Sequence, residues 1–253
     1  MIHRIKKNLI LVRHIYNTIA VKTLSLFLPR ECYIQELPDR LFEDNGAYYR
    51  KAQRRFNSGF GWTLADSNRV AMFILLLERV RHLDGELAEL GTHRGGTARL
   101  MYKYKNQKET LYCFDTFEGF DEKDVAFEST IGVKTKKGHF SNTSIDTVTR
   151  EVTDGKTNSE TLKLVKGYFP DTFKGHENIK WKFVHLDADL YNPIKAGLEH
   201  FYPNIVRGGV MLVHDYNGNY VGTKKAVDEF ASKNNITVVP LFDKVGSALI
   251  IKN

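Results

Sequence analysis

Apolar and polar residues alternate along this chain with two different periods, and the changes between them predict its elements. From residue 66 onward, stretches with apolar residues three or four positions apart are followed by short apolar runs typical of buried strands. This order of helices and strands is typical of an α/β fold with a largely parallel sheet. Strands are predicted at 86–91, 110–115, 161–167, 181–187, 208–215, 236–242 and 247–252, and helices at 70–83, 97–104, 144–154, 193–205 and 223–234.

The connections between these elements add three predictions. The last two strands are joined by residues 243–246 alone, which is too short for a parallel crossover, so the last strand should be antiparallel to its neighbour. Asn192 followed by Pro193 predicts a helix that the asparagine caps and that has proline at its first position. Residues 119–144 form a long polar connection, and such connections often cover binding sites, so we predict a lid there.

The first 60 residues follow a different pattern and are predicted as an N-terminal helical segment. Apolar residues at spacings of three and four predict an amphipathic helix there: Ile2, Ile5, Leu9, Val12, Tyr16 and Ile19. Its apolar face would form the seam of a homodimer or larger homo-oligomer, lie on an acidic membrane surface, or pack on its own domain. We expect no signal peptide and no transmembrane helix, because no apolar run approaches the roughly 20 residues of a membrane span.

Charge and cysteine content narrow the class of partner. The formal net charge is +7, but residues 1–30 hold six lysines and arginines and no acid, so the body of the chain is nearly neutral. Sequence-independent binding of nucleic acid needs a basic stripe across the body, so we expect no nucleic-acid partner. Two cysteines, Cys32 and Cys113, are too few for a disulfide framework, and the cytoplasm is the expected location.

The stretch ELAELGTHRGGT joins the first predicted strand to the following helix and is the first candidate ligand site. It places Glu89, Gly91 and Gly95 in the pattern E-x-G-x-x-x-G, in which glycines allow a tight turn and a close approach of a ligand to the backbone. The pattern differs from the G-x-G-x-x-G of dinucleotide sites. Asp115 ends the next strand, where an acid can bind ribose hydroxyls. The alternative is a purely structural turn, with Asp115 as a cap.

A second candidate site follows the predicted strand in FVHLDADLYNP. Asp187 and Asp189 lie there one residue apart, directly before a tyrosine and a helix start. Carboxylates beside a buried strand lose hydration, so they need a counter-charge, a proton or a metal. The pair therefore indicates a functional site.

Five stretches together carry a resemblance to a known family: GELAELGTHRGGTARL, YCFDTFEGFD, LVKGYFPDTF, FVHLDADLYNPIKAGLEHFYPNIVRGGVMLVHDYN and GTKKAVDEF, in this order over about residues 60–235. They are similar to S-adenosylmethionine-dependent sugar O-methyltransferases related to macrocin O-methyltransferase. The resemblance implies a class I methyltransferase domain at 61–253, with a Rossmann-like sheet, mostly parallel with an antiparallel last strand, and helices on both faces. It also implies an S-adenosylmethionine pocket at Glu89, Gly91, Thr92, Gly95, Thr97, Asp115 and Thr116.

The resemblance further implies a divalent metal, magnesium or alternatively manganese, at aspartates that end the fourth and fifth strands. Asp187 and Asp215 are the first choices as ligands, and Asp189 is either a third ligand or the cap of the following helix. Better-known relatives have an aspartate pair where this chain reads His214-Asp215. His214 is therefore a further metal ligand, a base that acts beside Asp187 in catalysis, or an outer residue that orients a carboxylate.

These residues lead to a prediction of methyl transfer from S-adenosylmethionine to a hydroxyl of a nucleotide-linked or glycan-linked sugar. A metal lowers the pKa of a bound hydroxyl, and a neighbouring base can accept its proton. The alternative is a metal-dependent glycosyltransferase that binds a sugar nucleotide through Asp187 and Asp189. Such a motif normally follows a nucleotide-binding half at the start of the fold, whereas here it comes after residue 180.

Overall fold

The computed structural model describes residues 67–155 and 159–253. The predicted N-terminal helical segment, with its proposed oligomer or membrane contact, lies outside the described residues. The strands are β1 Glu86–Leu90, β2 Leu111–Asp115, β3 Leu162–Lys166, β4 Trp181–Leu186, β5 Ile205–Val213, β6 Val239–Leu241 and β7 Ser247–Ile251. The α-helices are α1 Ser67–Val80, α2 Gly96–Tyr104, α3 Glu122–Thr130, α4 Ile145–Val152, α5 Tyr191–Phe201 and α6 Val221–Asn234, with 3-10 turns at Asp171–Phe173 and Tyr202–Asn204.

The strands form one sheet in the order β3-β2-β1-β4-β5-β7-β6. The five strands from β3 to β5 pair in parallel, and β7 is antiparallel to both β5 and β6. The predicted α/β class and the antiparallel last strand are confirmed. The direction of chain progression reverses at β1, whose neighbours are β2 and β4, and open α/β sheets bind ligands outside the carboxyl ends of strands at such a point.

Five of the helices, α1, α2, α4, α5 and α6, lie where the hydrophobic pattern predicts them, with ends shifted by four residues or fewer. Helix α3 is not predicted, and it lies inside the connection assigned to the lid. It begins after Asp121, whose Oδ1 accepts a hydrogen bond of 2.9 Å from the Lys123 amide. Among the described residues, no helix combines the length and the apolar character that a membrane span requires.

The start of α5 differs from the prediction. Leu190 occupies the N-cap position, the helix begins at Tyr191, and no side chain of the cap residue bonds the first turn. Asn192 is therefore not the cap, and its Nδ2 donates instead to Oδ1 of Asp124 at 3.1 Å. Pro193 lies at the third helical position, where its missing N–H costs nothing because the first-turn amides have no partner within the helix.

The core is packed around β4. All six residues of β4 are buried, so both faces of the sheet centre are covered, and α1 and α5 both contact this strand. The ring of Phe201 in α5 lies 5.1 to 5.6 Å, centroid to centroid, from the rings of Phe114, Phe169, Phe173 and Trp181. Such aromatic packing adds to the area-dependent gain from burial. It supports the carboxyl end of β2, where the first ligand cleft described below begins.

Gly91 allows the ends of β1 and β4 to pass close together. Its φ of +87° lies in the left-handed region, and an added Cβ would collide with the backbone carbonyl of Asp187. The Gly91 amide donates to the carbonyl of Phe114 at 2.9 Å, and the Asp187 amide donates to the carbonyl of Leu90 at 2.8 Å. Gly91 thus holds β1 beside β2 and leaves room for the chain that leaves β4.

We expect Gly91→Ala to destabilise the fold well beyond the roughly 1–3 kcal/mol of an unfavourable backbone conformation, because the methyl group also meets the Asp187 carbonyl. Gly175→Ala is the matched control, since Gly175 has a φ of +91° and no atom within 4 Å of an added Cβ. Urea unfolding of both variants measures the difference. Equal losses of unfolding free energy in the two variants would show that the contact between position 91 and the Asp187 carbonyl does not affect stability.

Candidate active site

Two neighbouring clefts open at the carboxyl ends of the parallel strands. The first, of about 630 Å³, is lined by residues that follow β1, β2, β3 and β4 and by part of the segment 119–140. The second, of about 960 Å³, is lined by residues that follow β1, β4 and β5. The residues that line both clefts are Gly91, His93, Phe140, Asp187 and Asp189. A molecule bound in one cleft would therefore adjoin a molecule bound in the other.

Asp115 holds the Gly-rich turn in shape. Its Oδ2 accepts hydrogen bonds of 2.8 Å from the amides of Thr92 and His93, and its Oδ1 accepts one of 2.7 Å from the amide of Phe117. Asp115 also lines the first cleft. It therefore acts as a cap of the turn, as the structural alternative suggests, while it remains in a position where a ribose could meet it.

Most of the residues that the sequence predicts for the cofactor lie at the clefts. Gly91 and Thr116 line the first cleft, and Gly91, Thr92 and Thr97 line the second. The Thr116 hydroxyl donates to the Gly119 carbonyl at 2.8 Å, which shapes the loop after β2. Gly95 has a φ of +83° and is the N-cap of α2, so it turns the chain from β1 into that helix.

Glu89 is not among the residues that line the two clefts, although Leu90 and Gly91, which follow it, line the first. It is fully buried in β1, and its Oε1 lies 3.0 Å from Nδ1 of His185, its register neighbour in β4. The ring of Phe73 in α1 packs edge-on against His185, with centroids 4.8 Å apart. Because side chains alternate across a strand, Glu89 points to the sheet face under α1. Its predicted contact with the cofactor remains a prediction.

A buried cluster of ionisable groups lies in the second cleft. Nδ1 of His214 lies 2.8 Å from Oδ1 of Asp187 and 3.1 Å from Oδ2 of Asp215. Arg69 of α1 joins the cluster, with Nη2 2.5 Å from Oδ2 of Asp187 and Nη1 2.5 Å from Nε2 of His214. The counter-charge that the buried aspartates require is therefore present as a guanidinium from a distant part of the chain.

The neighbours of each group shift its pKa. Burial acts to raise the pKa of Asp187, but Arg69 and His214 outweigh it and hold this pKa well below its usual value. Burial, a hydrogen bond with Asp215 and the charge of Asp187 raise the pKa of Asp189 well above its usual value. These partners therefore favour the ionised form of Asp187, whereas the surroundings of Asp189 favour its protonated form.

His214 experiences two opposing influences. Burial lowers its pKa, but the Asp187 carboxylate more than compensates, and the pKa is raised to about 9. The short contact between Nε2 and Arg69, by contrast, requires a ring without a proton on Nε2. The carboxylates decide the direction, because two of them face Nδ1.

The cluster has donor atoms that suit a divalent cation. Asp187, His214 and Asp215 each offer one ligand atom within 4.8 Å of the others. Carboxylate oxygens are ligands that magnesium and manganese prefer, and an imidazole nitrogen favours manganese over magnesium. Each oxygen of Asp187 already accepts one hydrogen bond, so a cation would share this carboxylate with Arg69 and His214.

Asp189 stands apart from these three residues. Its carboxyl group bonds Asp215, and its φ of +61° turns the chain at this point. It does not cap α5, because Oε1 of Glu128 accepts the hydrogen bond from the Tyr191 amide at 2.7 Å. The cap alternative for Asp189 is therefore wrong.

Comparison with known proteins decides the family. The family model described as Macrocin-O-methyltransferase (TylF) matches residues 24–247. The chain belongs to the macrocin O-methyltransferase family. It is an S-adenosylmethionine-dependent O-methyltransferase with the class I fold that the sequence predicts. The glycosyltransferase alternative receives no support.

Individual relatives are distant in sequence. This O-methyltransferase is 26% identical over 212 residues to demethyldecarbamoylnovobiocin O-methyltransferase of Streptomyces niveus, which covers 77% of this chain and 78% of the relative. It is 26% identical to 8-demethyl-8-(2,3-dimethoxy-alpha-L-rhamnosyl)-tetracenomycin-C 4'-O-methyltransferase of Streptomyces olivaceus, over 52% of this chain and 53% of the relative. The fold is similar to the solved structure of the O-methyltransferase NovP, with a TM-score of 0.66, 23% identity, and coverage of 76% and 83% of the two chains.

Sequence reasoning did not identify Arg69, although a signal was available. Arg69 lies in the first turn of α1, next to a long apolar run, and is only 6% exposed. A cation near a helix N-terminus is unfavourable for the helix dipole. A buried arginine at that position therefore indicates an acidic partner elsewhere in the fold, which here is Asp187.

Glu128 was missed as well, and it links α3 to the start of α5. It is fully buried and accepts the Tyr191 amide, and an added Cβ at Gly222 would collide with its carboxylate. Burial raises the pKa of Glu128, and the hydrogen bond from Tyr191 opposes that rise. Helix α3, which lies in the predicted lid, is thus anchored to the start of α5 through a buried hydrogen bond.

We expect Glu128→Ala to lower the unfolding free energy by about 1–3 kcal/mol, because it leaves the buried Tyr191 amide without an acceptor. Glu128→Gln keeps an acceptor oxygen and should lose less. Glu122→Ala on the same helix is the control, since that side chain is exposed and should stay within about 0.5 kcal/mol of the wild type. Equal losses for Ala and Gln in urea unfolding would argue against the role of this hydrogen bond.

Proposed function

We propose that this O-methyltransferase transfers the methyl group of S-adenosylmethionine to a sugar hydroxyl, with the adenosyl part of the cofactor in the first cleft, and its methionine end and the sugar in the second, where Thr92 and Thr97 lie. The observation that carries the proposal is the position of Asp187 and Asp189, which line both clefts. Groups that bind an acceptor hydroxyl would there lie beside the cofactor. Alignment of two bound reactants is itself a large contribution to methyl transfer.

The lining of the second cleft suits a sugar. Acidic groups on one side, Asp187, Asp189 and Asp215, can accept or exchange hydrogen bonds with several hydroxyls. Phe140 and Tyr220 line the same cleft, and both rings pack edge-on against Phe120, with centroids 5.5 and 5.9 Å away. A sugar presents hydroxyl edges and C–H faces, and this combination of polar and aromatic groups matches both.

The names of the relatives support a sugar-bearing acceptor. One relative's name contains a rhamnosyl group and a methylation position on a primed ring. Another acts on demethyldecarbamoylnovobiocin, as its name states. By analogy, we propose a nucleotide-linked or glycan-linked sugar on a small molecule as the acceptor of this enzyme.

The Asp187–His214 pair, with the ring of His214 in its neutral form, is the proposed proton acceptor. Methyl transfer to an alcohol forms the C–O bond, breaks the bond between the methyl carbon and sulfur, and releases S-adenosylhomocysteine and one proton. Oδ1 of Asp187 lies 2.8 Å from Nδ1 of His214, so a proton taken up by either group is shared with the other. Arg69 keeps Asp187 ionised, so its carboxylate can accept a hydrogen bond from the acceptor hydroxyl and orient it, but the lowered pKa makes Asp187 the weaker base of the pair.

A divalent cation, magnesium or manganese, is proposed at Asp187 and Asp215, with His214 as a further ligand or as the residue that orients them. A bound cation would lower the pKa of an acceptor hydroxyl. The two aspartates would hold it through carboxylate oxygens, and Asp189 would support Asp215 through the hydrogen bond between their side chains. The donor set described above is the support for this part of the proposal.

The acceptor proposal is tested by incubating the full chain with methyl-labelled S-adenosylmethionine and a panel of nucleoside-diphosphate sugars, glycosylated small molecules and their aglycones. We expect label on the sugar fragment, located by mass spectrometry. Asp187→Ala should lower kcat by about 100-fold or more. Asp228→Ala removes a half-exposed acceptor of Lys224 and Tyr216, none of which lines either cleft, and should leave kcat unchanged. Label on aglycones alone would contradict the proposal.

The metal proposal is tested by titrating manganese into the wild type and into Asp187→Asn and Asp215→Asn. We expect each variant to bind manganese at least about tenfold more weakly, since each loses a charged ligand. Asp228→Asn is again the control. If both cluster variants bind manganese as tightly as the wild type, and the enzyme keeps full activity after exhaustive chelation, the cluster does not bind a metal that the reaction needs.

A further inference from the structure

Helix α3 carries a buried acid that faces the first cleft and has no part in the chemistry above. Asp124 is only 5% exposed, yet it lines this cleft. Its Oδ1 accepts hydrogen bonds from the Tyr168 hydroxyl at 2.9 Å and from Nδ2 of Asn192 at 3.1 Å. Its Oδ2 accepts no hydrogen bond from the described residues. One carboxylate oxygen is therefore fixed, and the other is left to bind a donor.

The residues around Asp124 indicate what kind of donor would bind its Oδ2. Phe169, Leu190 and Pro193 line the same cleft with apolar side chains. Phe169 and Pro193 directly follow Tyr168 and Asn192, the two partners of Asp124. Asp115, the acid predicted to meet a ribose, lines the cleft at the end of β2. A flat apolar ring with an N–H group on one edge would satisfy both the apolar walls and the acid, and adenine is such a ring.

The acid is held in place from three sides. Tyr168 follows β3, Asn192 belongs to α5, and Glu128, one helical turn after Asp124, binds the first amide of α5. Burial raises the pKa of the Tyr168 hydroxyl, so it remains a donor to Asp124. Burial also raises the pKa of Asp124, while the two donors oppose that rise by stabilising the ionised form.

We infer that Asp124 recognises the adenine ring of the cofactor, with Oδ2 accepting a hydrogen bond from the exocyclic 6-amino group. An ionised carboxylate can only accept, so the site admits an amino group at this edge and rejects a carbonyl oxygen. This inference rests on S-adenosylmethionine as the cofactor. It makes Asp124 a specificity residue for the nucleoside and α3 a part of the cofactor site.

Binding of S-adenosylhomocysteine and of its deaminated analogue, S-inosylhomocysteine, tests the inference. The analogue has an oxygen in place of the 6-amino group. By isothermal titration calorimetry, the wild type should bind the adenosyl compound at least about tenfold more tightly, which corresponds to about 1.4 kcal/mol. Asp124→Asn offers an amide that can donate to the 6-oxygen, so the ratio of the two Kd values should fall toward one or reverse.

The matched control is Glu122→Gln. Glu122 is an exposed acid of the same helix and is not among the residues that line the first cleft, so this variant should keep the wild-type ratio. Equal affinity of the wild type for both ligands would overturn the inference even if Asp124→Asn fails to fold. An unchanged ratio in a folded Asp124→Asn would overturn it as well. Failure of the wild type to bind S-adenosylhomocysteine at all would instead contradict the cofactor assignment.

Discussion

The close passage of the chain after β4 over Gly91 is the contact on which the rest of the site depends. The Asp187 amide is bonded to the Leu90 carbonyl at 2.8 Å, and the Gly91 amide to the Phe114 carbonyl at 2.9 Å, so the ends of three strands are fixed side by side. Both clefts open at the ends of these strands. The position of Asp187 between them is therefore set by backbone hydrogen bonds of the sheet, which are far stiffer than a loop.

Burial of several acids at this edge makes counter-charge a condition of folding as well as of catalysis. Arg69 meets Asp187 across a separation of 118 residues, and His214 meets it from the neighbouring strand. Without these partners, an ionised Asp187 would lose hydration without compensation. Asp189 differs, because burial and its hydrogen bond with Asp215 raise its pKa and so favour the protonated form. Ion pairing at Asp187 and the hydrogen bond between Asp189 and Asp215 together allow three carboxyl groups to lie close together.

The sheet and the convergence of Asp187 with Asp215 could be predicted from the sequence, because parallel strands end at one edge and their apolar runs are clear. Gly91 could be predicted from the Gly-rich turn that follows the first strand. The partners of the acids could not, since Arg69 and Glu128 act through contacts between elements that no local pattern records. The position of Glu89 was also beyond prediction. It depends on His185, which occupies the register position beside it in β4, and on the helix that covers that face.

Helix α3 was not predicted inside the proposed lid, and its buried residues show why. The helix lacks the apolar stripe by which a sequence usually indicates a helix. Its buried residues are two acids, Asp124 and Glu128, placed four positions apart on one face. Each acid is buried and hydrogen-bonded, and Gly222 leaves the space that Glu128 needs. The backbone of Phe120 also pairs with that of Gly138 and His139, which closes the base of the segment. A cover built in this way is anchored where it meets the first cleft. Any motion that admits ligands would therefore have to occur in the parts of the segment beyond these two acids.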